Sequence, residues 1–155
     1  MLDILAQILR DRRLQPLFQP ILDLDSGAIY GYEGLIRGPS DTIYHSPLAL
    51  LRTAEQSGRR GEMEMLCVMT LLTEFARQGF AGNLFINLSP AILCEAEDRR
   101  AELMAMLEAN RLAPERVIIE LTEDGVPPDE QALLARLGEF KAEGLRIALD
   151  DLGEG

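Results

Sequence analysis

Oxygen-bearing side chains recur inside or at the ends of strand-like apolar runs at four places in this chain. They are Glu33 in Glu33-Gly34-Leu35-Ile36-Arg37, Asn87 in Phe85-Ile86-Asn87-Leu88-Ser89, Glu120 in Glu120-Leu121-Thr122-Glu123, and the pair Asp150 and Asp151 ahead of Leu152-Gly153. An unpaired carboxylate in such a place is costly to desolvate unless a partner or a metal offsets the penalty. For any one of them the alternative is a helix cap or a solvent-facing acid; four in order point to a shared cation. Glu, Asn and Asp are hard oxygen donors, suited to Mg²⁺, Mn²⁺ or Ca²⁺ rather than zinc or copper. Adjacent Asp150 and Asp151 diverge at a strand end and could serve two ions, and two ions can clamp the attacking and leaving oxygens of a phosphodiester displacement.

Other chemistry is less well provided for. His45 is the sole histidine, which argues against a His-rich metal site or a Ser-His-Asp arrangement and leaves a loop or surface residue. Cys67 and Cys94 lack metal-type spacing, fall in helical segments and read as reduced packing residues. The arginine pairs at 12–13, 59–60 and 99–100 read as solvated helix faces. Leu152-Gly153-Glu154-Gly155 has neither the spacing nor the lysine of a phosphate-cradling P-loop. A formal net charge of −11 disfavours a sequence-independent grip on a nucleic acid polymer or an anionic membrane surface. No run approaches the roughly 20 apolar residues of a spanning helix, and the amphipathic N-terminus lacks the layout of a secretory signal; the expected location is cytoplasmic.

The elements that must position these residues can be read from pattern. A chain of 155 residues with 47% hydrophobic content suits one domain over 1–155. A short helix is expected over 3–12, then strands over 17–24 and 28–36 around the turn Asp25-Ser26-Gly27, giving an antiparallel hairpin. Pro20 pushes the first strand toward an edge or a bulge. Ser46-Pro47 starts a helix that ends near Gly58. A further helix over 62–78 carries Met65, Leu66, Met69, Leu72 and Phe75 at a 3.6-residue period, with Gly79 as its stop. From Asn83 onward strands near 83–88, 117–122 and 146–150 alternate with helices near 96–110 and 129–143. Asp129 caps the last helix, whose apolar side carries Leu133, Leu134, Leu137 and Phe140. Such alternation implies βαβ units and a parallel sheet, in which function gathers at the carboxyl ends of the strands.

In this order the residues resemble the first part of an EAL domain, the cyclic di-GMP phosphodiesterase family. Phe18-Gln19-Pro20-Ile21 resembles the opening strand, and Glu33-Gly34-Leu35 with Arg37 the signature that names the family. Asn87-Leu88-Ser89 is similar to its asparagine strand, Glu120-Leu121-Thr122-Glu123 to its E-x-T-E segment, and the run from Asp150 to Gly155 to its D-D-F-G-T-G loop. The resemblance implies an α/β fold: a partial (β/α)₈ TIM-type barrel with an antiparallel first strand and about five of the eight strands. It implies that Glu33, Asn87, Glu120 and Asp150 hold a first Mg²⁺ or Mn²⁺, and that Asp151 helps to hold a second. By the same resemblance Glu123 anchors the loop after Asp151, Gln19 and Arg37 contact cyclic di-GMP, and Glu33, Glu123 and Asp151 serve catalysis. The reaction implied is attack of a metal-activated water on one phosphodiester, giving linear pGpG.

There are departures. Gly34 stands for the alanine of the signature, a small-for-small change, while Leu152 and Glu154 replace the phenylalanine and threonine of the loop, with Glu154 adding charge near a phosphate site. A full barrel takes about 250 residues, and the sequence stops after the loop that follows the fifth expected strand. The family's later lysine strand, general-base glutamate and glutamine segment lie beyond it. The expectation is therefore a phosphodiesterase fragment, inactive unless the barrel is completed, whose open sheet edge promotes homo-oligomerisation or segment swapping. The competing readings are a cyclic di-GMP receptor that does not cut, and an oligomerising scaffold.

Overall fold

A computed structural model describes residues 3–95, 98–122 and 129–149, and its first hairpin follows from its turn. Asp23 Oδ1 accepts hydrogen bonds from the amides of Asp25 and Ser26, and Gly27 takes a φ of +72°, a conformation that costs little without a Cβ. The turn folds β1 (Gln15–Leu22) antiparallel onto β2 (Ile29–Arg37), setting Gln19 opposite Glu33. Pro20 is accommodated because β1 is an outermost strand. The register then shifts between Ile21 and Leu22, which pair with Gly31 and Ile29 and leave Tyr30 without an opposite number.

Helices and the remaining strands alternate as their caps and periods dictate. Asp3 caps α1 (Ile4–Asp11), Ser46 with Pro47 opens α2 (Pro47–Gln56), and α3 (Arg60–Gln78) stops at left-handed Gly79. Then come β3 (Asn83–Leu88), α4 (Pro90–Glu95), α5 (Asp98–Ala109), β4 (Val117–Leu121), α6 (Glu130–Ala142) capped by Asp129, and β5 (Arg146–Leu149). The strands lie in the order β1-β2-β3-β4-β5, with every pair after the first parallel. This is the expected α/β sheet with an antiparallel opening. Cys94 lies in a helix as expected, but in a separate short element, α4, ahead of the helix expected near 96–110. Pro90 starts α4 directly after β3, where a proline needs no amide partner.

One face of the sheet makes the core. Leu84, Ile86 and Leu88 of β3 and Val117, Ile119 and Leu121 of β4 are buried against Leu71, Leu72 and Phe75 of α3 and against Leu103, Leu107 and Phe140. Each such side chain contributes about 1.5–3 kcal/mol by leaving water. The Phe75 ring lies among those of Phe18, Tyr32 and Phe80. Of the expected stripe of α3, Met65, Leu66, Leu72 and Phe75 are buried, whereas Met69 is half-buried and lies outside the core. Leu134 departs from expectation at 61% exposed: α6 meets the core through Phe140 and Leu137, which leaves Leu134 on the outer side. Among the described residues no helix is long and apolar enough to cross a membrane.

Candidate functional site

The opposite face of the sheet carries the polar side chains. Residues aligned on neighbouring strands share a face, as do residues two apart on one strand. Glu33 aligns with Gln19 on β1 and with Phe85 on β3; Asn87 lies two residues beyond Phe85 and aligns with Glu120 on β4, which aligns with Ala148 on β5. Gln19, Glu33, Asn87 and Glu120 therefore stand on one side of four successive strands. Arg37, the last residue of β2, stands there too, four residues beyond Glu33. Gln19 is exposed; Glu33, Arg37, Asn87 and Glu120 are half-buried.

The alternation that built the core also built this face. In β3 every second residue from Leu84 is buried while Asn83, Phe85 and Asn87 keep some exposure, so the apolar set fixes where the amide points. Asn87 Nδ2 donates to Glu33 Oε1 at 3.5 Å, a bond that engages the amide nitrogen rather than the oxygen a cation would need. Toward the amino ends of the strands, unpaired Tyr30 accepts a hydrogen bond from Arg146 Nη2 at 2.6 Å, and its ring lies 6.1 Å from that of Phe85. The bulge in the first hairpin thus sets Tyr30 against Phe85 and Arg146 at the amino ends of the strands. Toward the carboxyl ends, a cleft of about 210 Å³ opens between the sheet rim and α2 and α3, with Arg37, Asn87 and Thr122 on its sheet side.

Three expected site residues, Glu123, Asp150 and Asp151, lie outside the described residues. Among the described residues no three His, Cys, Asp or Glu side chains gather to hold a metal. Glu33, Asn87 and Glu120 supply two carboxylates and an amide, and this all-oxygen set fits a hard divalent cation. His45 is an exposed residue whose Nδ1 lies 3.1 Å from the Gly38 carbonyl oxygen. Cys67 and Cys94 are free thiols. Burial, and then the nearby Glu64 carboxylate, push the Cys67 thiol up to about 12, which leaves it protonated and unreactive at neutral pH.

The arginine pair at 59–60 is not wholly a solvated face. Arg60 is 16% exposed and gives Nε to Glu64 Oε2 at 3.0 Å and Nη1 to Glu55 Oε2 at 3.3 Å. Glu64 is buried in turn and accepts from both the amide and the hydroxyl of Ser89, at 2.8 and 2.7 Å. Sequence reasoning passed over Glu64. Its signal was a lone acid on the buried stripe of α3, four residues after an arginine.

A family model described as EAL domain matches residues 2–155. Among curated proteins, the Escherichia coli (strain K12) probable cyclic di-GMP phosphodiesterase PdeI is 27% identical over 146 residues, which cover 90% of this chain and 18% of that protein. The probable cyclic di-GMP phosphodiesterase PdeB of the same organism is 28% identical over 156 residues, covering 97% of this chain and 30% of PdeB. Among solved structures, the calcium/cyclic di-GMP complex of Klebsiella pneumoniae BlrP1 superposes with a TM-score of 0.81 at 26% identity, covering 92% of this chain and 36% of BlrP1. The chain thus spans about a fifth to a third of the length of the curated relatives it matches.

Proposed function

Because the chain belongs to the EAL domain family, we propose that it is the metal-binding part of a domain that hydrolyses cyclic di-GMP to linear pGpG. The observation that carries this reading is the row of Gln19, Glu33, Asn87 and Glu120 on the face of the sheet opposite the main core. A sheet face that needed only to be soluble could scatter its polar residues. Here the oxygen donors occupy aligned or near-aligned positions on neighbouring strands.

In this proposal Glu33, Asn87 and Glu120, with Asp150 and Asp151, hold Mg²⁺ or Mn²⁺. The ions, when bound, supply Lewis acidity and a clamp on the oxygens of a phosphodiester. Asn87, hydrogen-bonded to Glu33, keeps two donors in register before an ion arrives, which reduces the ordering cost of binding. Gln19 stands opposite Glu33 across the hairpin and Arg37 at the strand end; both contact the nucleotide, with the Arg37 guanidinium suited to a phosphate oxygen. Glu123 holds the loop that follows Asp151. The outermost strands β1 and β5 expose backbone edges, and in this reading the isolated chain self-associates through them.

Two assays test the reading. Glu33→Ala in a barrel-complete protein containing this chain is expected to abolish Mg²⁺-dependent cyclic di-GMP hydrolysis, and turnover at the parent rate would overturn the metal assignment. The isolated 155-residue chain is expected to show no appreciable hydrolysis, and ordinary enzymatic turnover by it would refute its dependence on a completed barrel.

A further inference from the structure

We infer that Glu64, on α3, is a positioning residue that sets the carboxyl end of β3 and through it the direction of Asn87. The inference rests on the metal-site reading above only for its consequence, since the contacts themselves belong to the fold. Leu88 is the last residue of β3, and its carbonyl accepts from the Thr122 amide at 3.1 Å, the final rung of the β3–β4 ladder. One residue later the chain must leave the sheet, because Pro90 opens α4. The Ser89 amide therefore points away from the last rung at a place that is 1% exposed. An unsatisfied amide there would cost about 1–3 kcal/mol.

Glu64 meets that need twice. Its Oε1 takes the Ser89 amide at 2.8 Å and its Oε2 takes the Ser89 hydroxyl at 2.7 Å. A carboxylate that grips a backbone donor and the side chain of the same residue fixes the turn in direction as well as in place. Arg60 supplies the countercharge, one turn back along α3. This accounts for a buried acid on an otherwise apolar stripe, where an aliphatic residue would pack more cheaply. Asn87 lies two residues before the clamped turn, and its amide reaches Glu33 only at 3.5 Å. At that length, a small rotation at the strand end decides whether the amide meets Glu33. Glu64 and Asn87 also border the same cleft.

The expected signature is a change in metal affinity that acts through Asn87 and is absent without it. In the 155-residue chain, Glu64→Gln should weaken Mn²⁺ binding, read by titration calorimetry, by about tenfold. In an Asn87→Ala background the same substitution should cause no further loss. In the metal-free protein Glu64→Gln should also shift the Asn87 side-chain amide pair in the ¹⁵N spectrum. Ser89→Ala removes one donor and leaves the carboxylate in place; it should show the same pattern at roughly threefold and decides the matter if Glu64→Gln does not fold. Unchanged Mn²⁺ affinity with a lowered melting temperature, equal losses with and without Asn87, or an unmoved Asn87 amide would overturn the inference. If the parent chain binds no Mn²⁺ at millimolar concentration, the metal reading fails, and the Asn87 amide still decides for or against Glu64.

Discussion

The two faces of this sheet are written in different alphabets. The helix-covered face repeats Leu, Ile and Val in β3 and β4, each nearly inaccessible to water. On the other face Gln19, Glu33, Asn87 and Glu120 each keep some exposure, although Ile118 beside Phe85 is buried. Strand alternation makes the two inseparable, since each residue added to one face moves the next to the other. The apolar face holds the fold in place, and the polar face takes its geometry from it without contributing much to stability. The two acids of the row, Glu33 on β2 and Glu120 on β4, are kept apart by β3, whose neutral Asn87 lies between them.

If that division is right, the largest loss of stability comes from the covered face. Phe75→Ala empties the centre of the aromatic cluster and should cost about 4 kcal/mol in denaturant unfolding; a cost below about 1 kcal/mol would mean that the core lies elsewhere. Two glycines of β2 sharpen the comparison. A Cβ on Gly31 would fall onto the Asn83 carbonyl of β3, so Gly31→Ala should cost about 2 kcal/mol through strained pairing. A Cβ on Gly34 meets the end of the Leu71 side chain at 2.9 Å. Leu71 can swing aside, so Gly34→Ala should cost less than about 1 kcal/mol, in keeping with alanine at this place in the EAL signature. Equal costs at the two sites would break this account.

On the polar face the expected change is smaller still. Glu33→Gln in the metal-free chain should alter unfolding by no more than about 0.5 kcal/mol, and a loss near that of Phe75→Ala would show that the face is structural. The smallest effect at neutral pH belongs to Cys67. Its thiol is raised from 9.0 to about 12 by burial and then by Glu64, so between those values the unfolded chain has lost a proton that the folded chain retains. Stability should therefore be unaffected below pH 9 and should fall as pH rises from about 9 to about 12. Melting temperatures of the parent and Cys67→Ala compared across that window check the sign, and a parent that gains stability relative to the variant there would contradict it.

Much of this was legible because local and global signals agree. The hairpin was marked by Asp25-Ser26-Gly27, the start of α2 by Ser46-Pro47, the start of α6 by Asp129, and β3 by its place in the regular strand–helix order. That Glu33, Asn87 and Glu120 should meet followed from the parallel order, whose strands bring functional residues together at their carboxyl ends; that they share one face needed the register. What escaped depended on tertiary contact. Glu64 and Arg60 form an i, i+4 pair that reads equally well as a surface ion pair; only the packing of α3 beneath the end of β3 buries it. The irregularity in the first hairpin was signalled by Pro20, next to the register shift between Ile21 and Leu22; that it leaves Tyr30 against Arg146 and Phe85 was not. Leu134 matched the helical period and yet faces outward, because α6 meets the core through Leu137 and Phe140.

The central claim is that Glu33, Asn87 and Glu120 act together on one divalent ion. An anomalous-difference map from crystals of this chain grown with Mn²⁺ tests it most directly. A single peak in contact with oxygens of all three side chains is the predicted result, and well-ordered crystals whose Mn²⁺ peaks lie only away from this face would contradict it.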